Sequence, residues 1–436
     1  MSARHRARFL LILAGLGLAA WACTEDVTSP GVCPDFCPTG KIATVESLFA
    51  TAIERDSSFQ GYIQADSAPA MLAASLPQVD SRPIFETRPV ATRLTIDTGT
   101  DTTTGPLVID SIRLTLTLLR FDAGRRNRRL VFYRLPLGLD RSTSFAGLAP
   151  AFAGTPIRVV NVDSLLVLSG QHDSITGDSV VSVDTVRRSA VISLKFDTTQ
   201  VPFVVADSGR VALGVRVTAD SLASVVLGST DGGEGPEIQW YNRVDSAGVL
   251  LDRTAQRQGT EFDGFVFDPP QPPPDSTLLL GGMPTSRALL RFALPREIRD
   301  SAQIIRAVLI LVPAGPVTGI PGDSFFVTVR HLAADFGAKS PIAPDTIAPQ
   351  SALLVPGTID TVRIEVTTLF RFWQADTAAT TAAFLQLLAL DRINSSFVGG
   401  TEGATLTRLR LYSSRTPAFR PALRLTFVPR FPFGVP

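Results

Sequence analysis

The chain has 436 residues, of which 45% are hydrophobic and 19% are charged, and its formal net charge is +1. This length is sufficient for two or three globular domains, and the hydrophobic fraction excludes a disordered chain. A charge this close to neutrality gives no support to a nucleic-acid-binding surface, so no nucleic-acid partner is predicted.

The first 22 residues have the pattern of an export signal. Basic residues precede an apolar segment, residues 9–20, which is too short for a good membrane span. Ala20, Trp21 and Ala22 then lead to Cys23, and this ending resembles the bacterial lipobox. The resemblance implies that Cys23 is lipidated and becomes the first mature residue. An ordinary cleaved signal peptide and an uncleaved anchor are the alternatives.

The residues after Cys23 give further information on the predicted cellular location. Thr24 follows the cysteine, which in lipoproteins implies sorting to the outer membrane of a host with two membranes. Glu25 and Asp26 are similar to the acidic tethers that accompany surface export. We therefore expect an exported protein that is lipid-anchored to the bacterial cell envelope.

Residues 23–44 are predicted to form a stalk with one local staple. Cys33 and Cys37 enclose three residues, and two nearby cysteines in an exported protein most often form a small disulfide. A metal site at the two cysteines is one alternative, but no histidine lies near them. A redox-active pair is another, but such pairs usually have CxxC spacing in an α/β domain. The sequence predicts no metal site and no cofactor.

Short runs of alternating apolar and polar residues follow the stalk, separated by Gly, Pro, Asp and Ser. Runs repeated about every ten residues favour antiparallel β-sandwiches. Residues 367–375 are the best helix candidate, with Leu369, Phe370 and Trp373 on one side. Residues 45–56 fit either a short helix or the approach to the first strand.

The strand pattern occurs twice along the chain. Residues 58–63 resemble residues 261–266, and Phe59 and Phe262 set the offset between the two copies. The further matched segments are 109–119 with 302–312, 129–135 with 325–332, 211–217 with 383–390, and 237–241 with 422–426. We expect an all-β protein with one sandwich in residues 45–246, a linker in 247–257, a second sandwich in 258–430 and a tail in 431–436.

The second copy carries a series of motifs in a defined order. FDGFVF is followed by LLLGG, SRALLRFALP, AQIIRAVLIL, IEVTTLFRFW and RPALRLTF within residues 258–430. This order resembles the DNRLRE-type domain, which is also described as a carbohydrate-binding module family. The resemblance extends faintly over residues 55–245. It implies two tandem jelly-roll-like sandwiches of the kind repeated in bacterial surface proteins, and polysaccharide as a ligand.

The sequence offers no local catalytic motif. His172 and His331 lie in different copies, and GxSxG, P-loop and HExxH motifs are absent from the sequence. His331 is interpreted as the end of a strand. Carboxylate pairs for glycoside hydrolysis depend on a spatial separation that a sequence does not give. We therefore expect a non-enzymatic protein, with an exported hydrolase or lyase as the least favoured class.

Candidate binding residues are aromatic or basic. Trp240 and Tyr241 are adjacent in a predicted strand, so one ring should face the core and the other solvent, which makes this pair the preferred sugar-stacking site. Trp373 is expected to be core. A basic cluster between two strands is either a solvated hairpin tip or a site for an acidic polysaccharide or anionic headgroups. Its arginines are Arg125, Arg126, Arg128 and Arg129.

Two segments combine acidic residues with Gly, namely residues 97–101 and 228–235. A calcium loop needs several oxygen ligands at set spacing, and Asp231 with Glu234 are too few, so both segments are interpreted as strand-connecting loops. The predicted role is a cell-envelope lipoprotein that presents polysaccharide-binding modules. Its predicted partners are the membrane, through the lipid, and polysaccharide; a structural protein that binds other envelope proteins is the alternative.

Overall fold

A computed structural model describes the fold of residues 44–76, 79–97, 102–120, 127–168, 170–171, 180–184, 189–220, 223–268, 274, 276–319, 324–344, 350–376, 378–389, 402 and 407–429. These residues form a mostly antiparallel all-β protein, and its strands are β1 (Val45–Phe49), β2 (Ile53–Gln60), β3 (Ala70–Leu76), β4 (Val79–Thr87), β5 (Arg93–Asp97), β6 (Thr102–Arg120), β7 (Arg129–Arg134), β8 (Arg158–Asn161), β9 (Val181–Asp184), β10 (Ser189–Phe196), β11 (Ala212–Thr218), β12 (Ala223–Gly228), β13 (Glu237–Ser246), β14 (Val249–Phe267), β15 (Thr277–Gly281), β16 (Ser286–Phe292), β17 (Gln303–Leu311), β18 (Phe325–His331), β19 (Gln350–Leu354), β20 (Val362–Glu365), β21 (Ala382–Ala389), β22 (Arg408–Tyr412) and β23 (Ala422–Val428).

Helices are short in the described part of the chain. They are α1 (Phe145–Ala153), α2 (Val162–Val167) and α3 (Thr367–Ala375), together with single turns at Val205–Asp207, Glu297–Ser301 and Gly337–Lys339. None of them has the length and the apolar run needed to cross a bilayer. Residues 45–56, for which the sequence left helix and strand open, form β1, a turn at 50–52 and the start of β2.

The first sandwich contains β3 to β14. Its strands pair in one continuous order, β14-β13-β6-β12-β3-β4-β11-β7-β8, with β5 and β10 beside β6 and β9 beside β10. The path forms two sheets, β14-β13-β6 and β12-β3-β4-β11-β7-β8, which are joined where the end of β6 pairs with β12. The long strand β14 belongs to both sheets, because residues 249–259 pair with β13 and residues 260–267 pair with β4. This strand therefore ties the two layers together at one side.

The second sandwich repeats this arrangement with other strands. Its sheets have the orders β1-β23-β17-β20 and β19-β18-β21-β16-β15-β22, and β2 pairs with β16. The strand equivalences that the sequence predicted agree with this topology: β6 corresponds to β17, β7 to β18, β11 to β21, and β13 to β23. In the second sandwich β1 and β2 together hold the place that β14 holds in the first.

The two copies have therefore exchanged their opening strands. The first lead strand, defined here as residues 45–60, opens the first copy in sequence but completes the second sandwich. The second lead strand, defined here as residues 249–267, opens the second copy but completes the first sandwich. As a result the first sandwich is a continuous segment inserted between β2 and β15 of the second.

A buried aspartate on each lead strand confirms the equivalence. Asp263 accepts a hydrogen bond from the backbone N–H of Thr230, which follows β12, at 2.9 Å. Asp56 accepts one from the backbone N–H of Ser414, which follows β22. Both aspartates are less than a tenth exposed. Each therefore secures a loop of the sandwich that its own lead strand completes.

The predicted domain boundary and repeat offset differ from the structure. Residues 247–257, expected as a linker, form the turn between β13 and β14 and much of β14. Phe59 and Phe262 are not equivalent, because Phe59 pairs with Arg287 whereas Phe262 pairs with Glu86. The apolar periodicity of a strand does not specify which of two similar sandwiches the strand pairs with. The exchange of lead strands therefore could not be predicted from the periodicity.

The core of each sandwich is apolar and layered between its sheets. In the second sandwich Phe292 packs against Phe370 at 5.4 Å and Trp373 at 5.3 Å between ring centroids. Leu369, Phe370 and Trp373 are buried on one face of α3, which confirms the predicted helix and its core face. Burying a Leu or Phe side chain contributes roughly 1.5–3 kcal/mol, so this face holds α3 in place.

Candidate functional site

An open cleft lies at one end of the first sandwich, where the loops after β7 and β12 meet the second lead strand. Its volume is about 500 Å³. The lining includes six carboxylates and two guanidinium groups, contributed by Asp66, Glu86, Asp140, Asp231, Glu261, Asp263, Arg141 and Arg210. We call this site the acidic cleft.

Glu86 anchors the floor of the acidic cleft. Its carboxylate accepts hydrogen bonds from the backbone N–H groups of Gly138 and Leu139 at 2.7 and 2.9 Å. Arg210 lies 3.4 Å from the other carboxylate oxygen. Because Glu86 is only 4% exposed, these contacts compensate its burial and fix the loop after β7.

Asp263 fixes the opposite wall. Besides its bond from the Thr230 N–H, it accepts a bond from the Thr260 hydroxyl at 3.4 Å. Thr260 lies where β14 passes from one sheet to the other, at a register shift between Thr260 and Phe262. The irregularity turns Glu261 towards solvent and leaves Phe262 half-buried in the cleft lining.

The rim carries carboxylates in two different states. Asp66 is paired with Arg141 at 2.6 Å. The Ser142 hydroxyl and backbone N–H donate to Asp140 at 2.6 and 2.8 Å, and these bonds hold its pKa below the usual value. Asp231 and Glu261 are exposed and form no ion pair with the described residues. These two carboxylates are the ones available to a ligand.

The arrangement favours a polar ligand that donates hydrogen bonds. The two available carboxylates, Asp231 and Glu261, can accept hydrogen bonds from hydroxyl or amino groups, and charge-assisted bonds are the stronger ones. The half-buried ring of Phe262 adds one apolar contact. With six carboxylates against two guanidinium groups, the cleft opposes a polyanion.

Trp240 and Tyr241 do not form the predicted site. The expectation that one ring faces solvent is wrong, because Trp240 is 0% and Tyr241 8% exposed. Trp240 donates from Nε1 to Gln258 on β14 at 2.7 Å and packs on Phe203. Alternation persists along β13, since Ile238, Trp240 and Val244 are buried on one face while Arg243 is exposed on the other. The prediction failed because Tyr241 is buried on that other face as well.

The basic cluster also differs from its prediction. Arg128 is 3% exposed and binds Asp163 at 2.6 and 2.9 Å, so it is not part of a solvated tip. Arg129 is exposed and lies 3.4 Å from the side-chain oxygen of Asn127. Arg125 and Arg126 lie outside the described residues. Of the two arginines of this cluster that the structure describes, Arg129 is the exposed one.

His331 and the loop 228–235 match their interpretations. His331 is the last residue of β18, and Trp373 Nε1 donates to its Nδ1 at 3.2 Å. Residues 229–236 connect β12 and β13, as interpreted. This loop nevertheless supplies Asp231 to the acidic cleft. Cys23, Cys33 and Cys37 lie outside the described residues.

Sequence reasoning missed Glu86, Arg210 and Glu261. Glu86 lies on β4, within residues 55–245, over which the resemblance to the DNRLRE-type domain is only faint, and Arg210 precedes β11. The available signal was the acidic pair around Phe262 in EFDG, which the sequence analysis treated only as part of a strand. Comparison with protein-family models found no matching family, and comparison with curated proteins found no match. The DNRLRE resemblance therefore stays a prediction.

Proposed function

We propose that the chain is a non-catalytic, exported protein of the bacterial cell envelope that binds polysaccharide in the acidic cleft. The observation that carries the proposal is the cleft itself: an open space of about 500 Å³ whose floor and walls are held by Glu86 and Asp263. A cleft whose floor and walls are already fixed does not have to be ordered when a ligand binds, which lowers the entropic cost of binding.

A polysaccharide fits these properties better than a compact apolar ligand. Small-molecule sites are mostly apolar and enclosed, whereas this cleft is open and lined by charged groups. Sugar hydroxyls are donors that match Asp231 and Glu261, and a sugar ring matches the exposed edge of Phe262. The excess of carboxylates favours a neutral chain, which makes the ligand different from an alginate-like polyanion.

The test is binding to a panel of soluble neutral and acidic polysaccharides by titration calorimetry or affinity electrophoresis. The double substitution Asp231→Asn, Glu261→Gln should weaken binding of a neutral polysaccharide about 10- to 100-fold, because a hydrogen bond to a charged group contributes roughly 1.5–3 kcal/mol. The wild-type protein should bind acidic polymers more weakly than neutral ones.

Glu234→Gln is the matched control. Glu234 is an exposed carboxylate in the same loop as Asp231 but does not line the cleft. Its substitution should leave binding unchanged. Equal loss with both variants, or wild-type preference for acidic polymers, would show that the cleft does not select the ligand.

The anchor is the second part of the proposal. We propose that Cys23 carries the lipid that holds the protein at the envelope, since it follows an n-region and apolar segment typical of lipoproteins. Two or three acyl chains hold a protein stably at a bilayer. Palmitate labelling of expressed protein should disappear in Cys23→Ser and persist in Cys33→Ser; labelling that survives in Cys23→Ser would remove this assignment.

A further inference from the structure

The first lead strand is joined to the rest of the chain through a very short crossover. Tyr62, just after it, packs on Phe384 of the second sandwich, with 5.5 Å between ring centroids. The next residue, Ile63, packs against the core of the first sandwich. Gly61, which follows the last residue of β2 and precedes Tyr62, has a φ of +88°. The chain therefore changes sandwich within a few residues, and a glycine at the turn leaves the backbone free to open.

The first lead strand buries fewer side chains than the second. It buries Ala52, Ile53 and Asp56, and Phe49 and Phe59 pack on the core while only partly buried. The second lead strand buries Gln258, Thr260, Asp263, Phe265 and Val266. The first lead strand therefore depends more on backbone pairing with β16 and β23 than the second depends on its own pairing.

The partners of the first lead strand are remote in sequence. The bond between Asp56 and Ser414 spans 358 residues. Contacts at such separation form late, because the intervening chain must first be closed into a loop. During folding, β1 and β2 therefore lack their partners while the first sandwich, which is continuous and has its own lead strand, can complete itself.

The groove between β16 and β23 is the same in every copy of the chain. We propose that the first lead strand exchanges between two copies, so that β1 and β2 of each copy complete the second sandwich of the other. The swapped dimer keeps every β1–β23 and β2–β16 pair and requires a changed path only at residues 61–62. Short connections between exchanging elements favour this outcome, and repeated domains are prone to it.

A disulfide trap distinguishes exchange from the closed monomer. Glu46 and Thr426 lie directly opposite each other on β1 and β23, and neither is buried. The full chain carrying Glu46→Cys and Thr426→Cys is prepared with ¹⁴N and with ¹⁵N, mixed in equal amounts while unfolded, refolded together and oxidised. Mass spectrometry of the linked peptides then shows which chains supplied the two cysteines.

Exchange predicts linked 46–426 peptides that contain both isotopes, rising with protein concentration towards half of all such peptides. The control pair Ile310→Cys, Arg363→Cys joins β17 and β20, which stay in one copy in either state, so its linked peptides should contain a single isotope. Single-isotope 46–426 peptides at every concentration, or a wild-type chain that light scattering shows to be monomeric throughout, would overturn the proposal.

Discussion

Glu86 and Arg291 occupy the same position in the two sandwiches and carry opposite charges. Glu86 on β4 accepts bonds from the N–H groups of Gly138 and Leu139 in the loop after β7. Arg291 on β16 pairs with Asp335 in the loop after β18. The same strand-to-loop contact is thus made with inverted polarity, and we expect the two sandwiches to prefer different ligands at this end.

A second equivalent pair has kept its chemistry. Arg82 lies over the ring of Phe145 at 4.3 Å and pairs with Asp80 at 2.6 Å. Arg287 lies over the ring of Tyr62 at 4.1 Å and pairs with Glu402 at 2.6 Å. A guanidinium that is stacked and paired in this way is stabilised although little of it reaches water.

His331 gives the second sandwich a defined pH dependence. Burial lowers its pKa below the ordinary value of 6.5, and nearby Asp376 offsets this only in part. The folded state therefore binds fewer protons than the unfolded state, and the stabilising contribution of neutral His331 is complete above about pH 6.5 and lost as pH falls towards the lower folded-state pKa. Urea unfolding should show this loss as the pH falls below the ordinary histidine pKa of 6.5.

His331→Gln is the informative variant for this pH dependence. The glutamine oxygen can accept the hydrogen bond from Trp373 but does not titrate in this range. Its free energy of unfolding should fall less than that of the wild type over the same pH interval, because all other titrating groups are shared. Identical pH profiles would show that His331 is not the responsible group.

At the scale of single elements, each lead strand places its buried aspartate against a loop of the sandwich that the strand completes. Asp56 binds the N–H of Ser414, and Asp263 binds the N–H of Thr230. Asp56→Ala should cost about 1–3 kcal/mol of stability, because it leaves the buried N–H of Ser414 without its acceptor. Hydrogen exchange should therefore accelerate at Ser414 and not at Thr230. Asp263→Ala should have the reverse effect.

Asp56→Asn serves as the control, since an amide oxygen still accepts the bond. If Asp56→Ala accelerated exchange at Thr230 instead, the first lead strand would belong to the first sandwich and the exchange described here would be wrong.

The sequence predicted elements better than it predicted their partners. Alternation of apolar residues located the strands, and the spacing of Leu369, Phe370 and Trp373 located α3, because both depend on neighbouring residues alone. The α1 helix was missed, since FAGLAPAFA is apolar on every side and contains Pro150. The placement of the lead strands depends on a choice between two grooves, which local pattern does not encode.

The site was less predictable than the strands. Glu86, Asp231 and Glu261 are far apart in sequence, and they meet only because β4, the β12–β13 loop and β14 converge. Trp240 and Tyr241 were ranked first because alternation placed one of them on the outer face, but Tyr241 is buried on that face too. The sequence indicated one acidic loop of the cleft, residues 228–235. It did not indicate which other residues line the cleft or where in the sandwich the cleft lies.

At the scale of the whole molecule, the first sandwich is an insertion that contains all its own strands. The fragment 61–268 should therefore fold alone and unfold cooperatively on heating, whereas 45–246, the domain expected from the repeat, should not, because it lacks β14. Circular dichroism and hydrogen exchange on the two fragments, which are nearly equal in length, provide the comparison.

If fragment 45–246 folded and fragment 61–268 did not, the domain boundary predicted from the sequence repeat would be correct. A cooperative transition for 45–246 would mean that β1 and β2 can replace β14 in the first sandwich. A disordered 61–268 would mean that the first sandwich depends on contacts such as that of Met283, which belongs to the β15–β16 turn but packs into the first core.

Because the first sandwich is inserted in the second, a pulling force on the N-terminus would reach it along a defined part of the chain. If the protein is held by its N-terminus and pulled through a ligand in the acidic cleft, the force runs along β1 and β2, the only covalent path between residue 44 and the first sandwich. A strand is already extended at about 3.3 Å per residue, so this path has little slack. The rest of the second sandwich would not lie on this path, and the first sandwich would stay closed by its own β14.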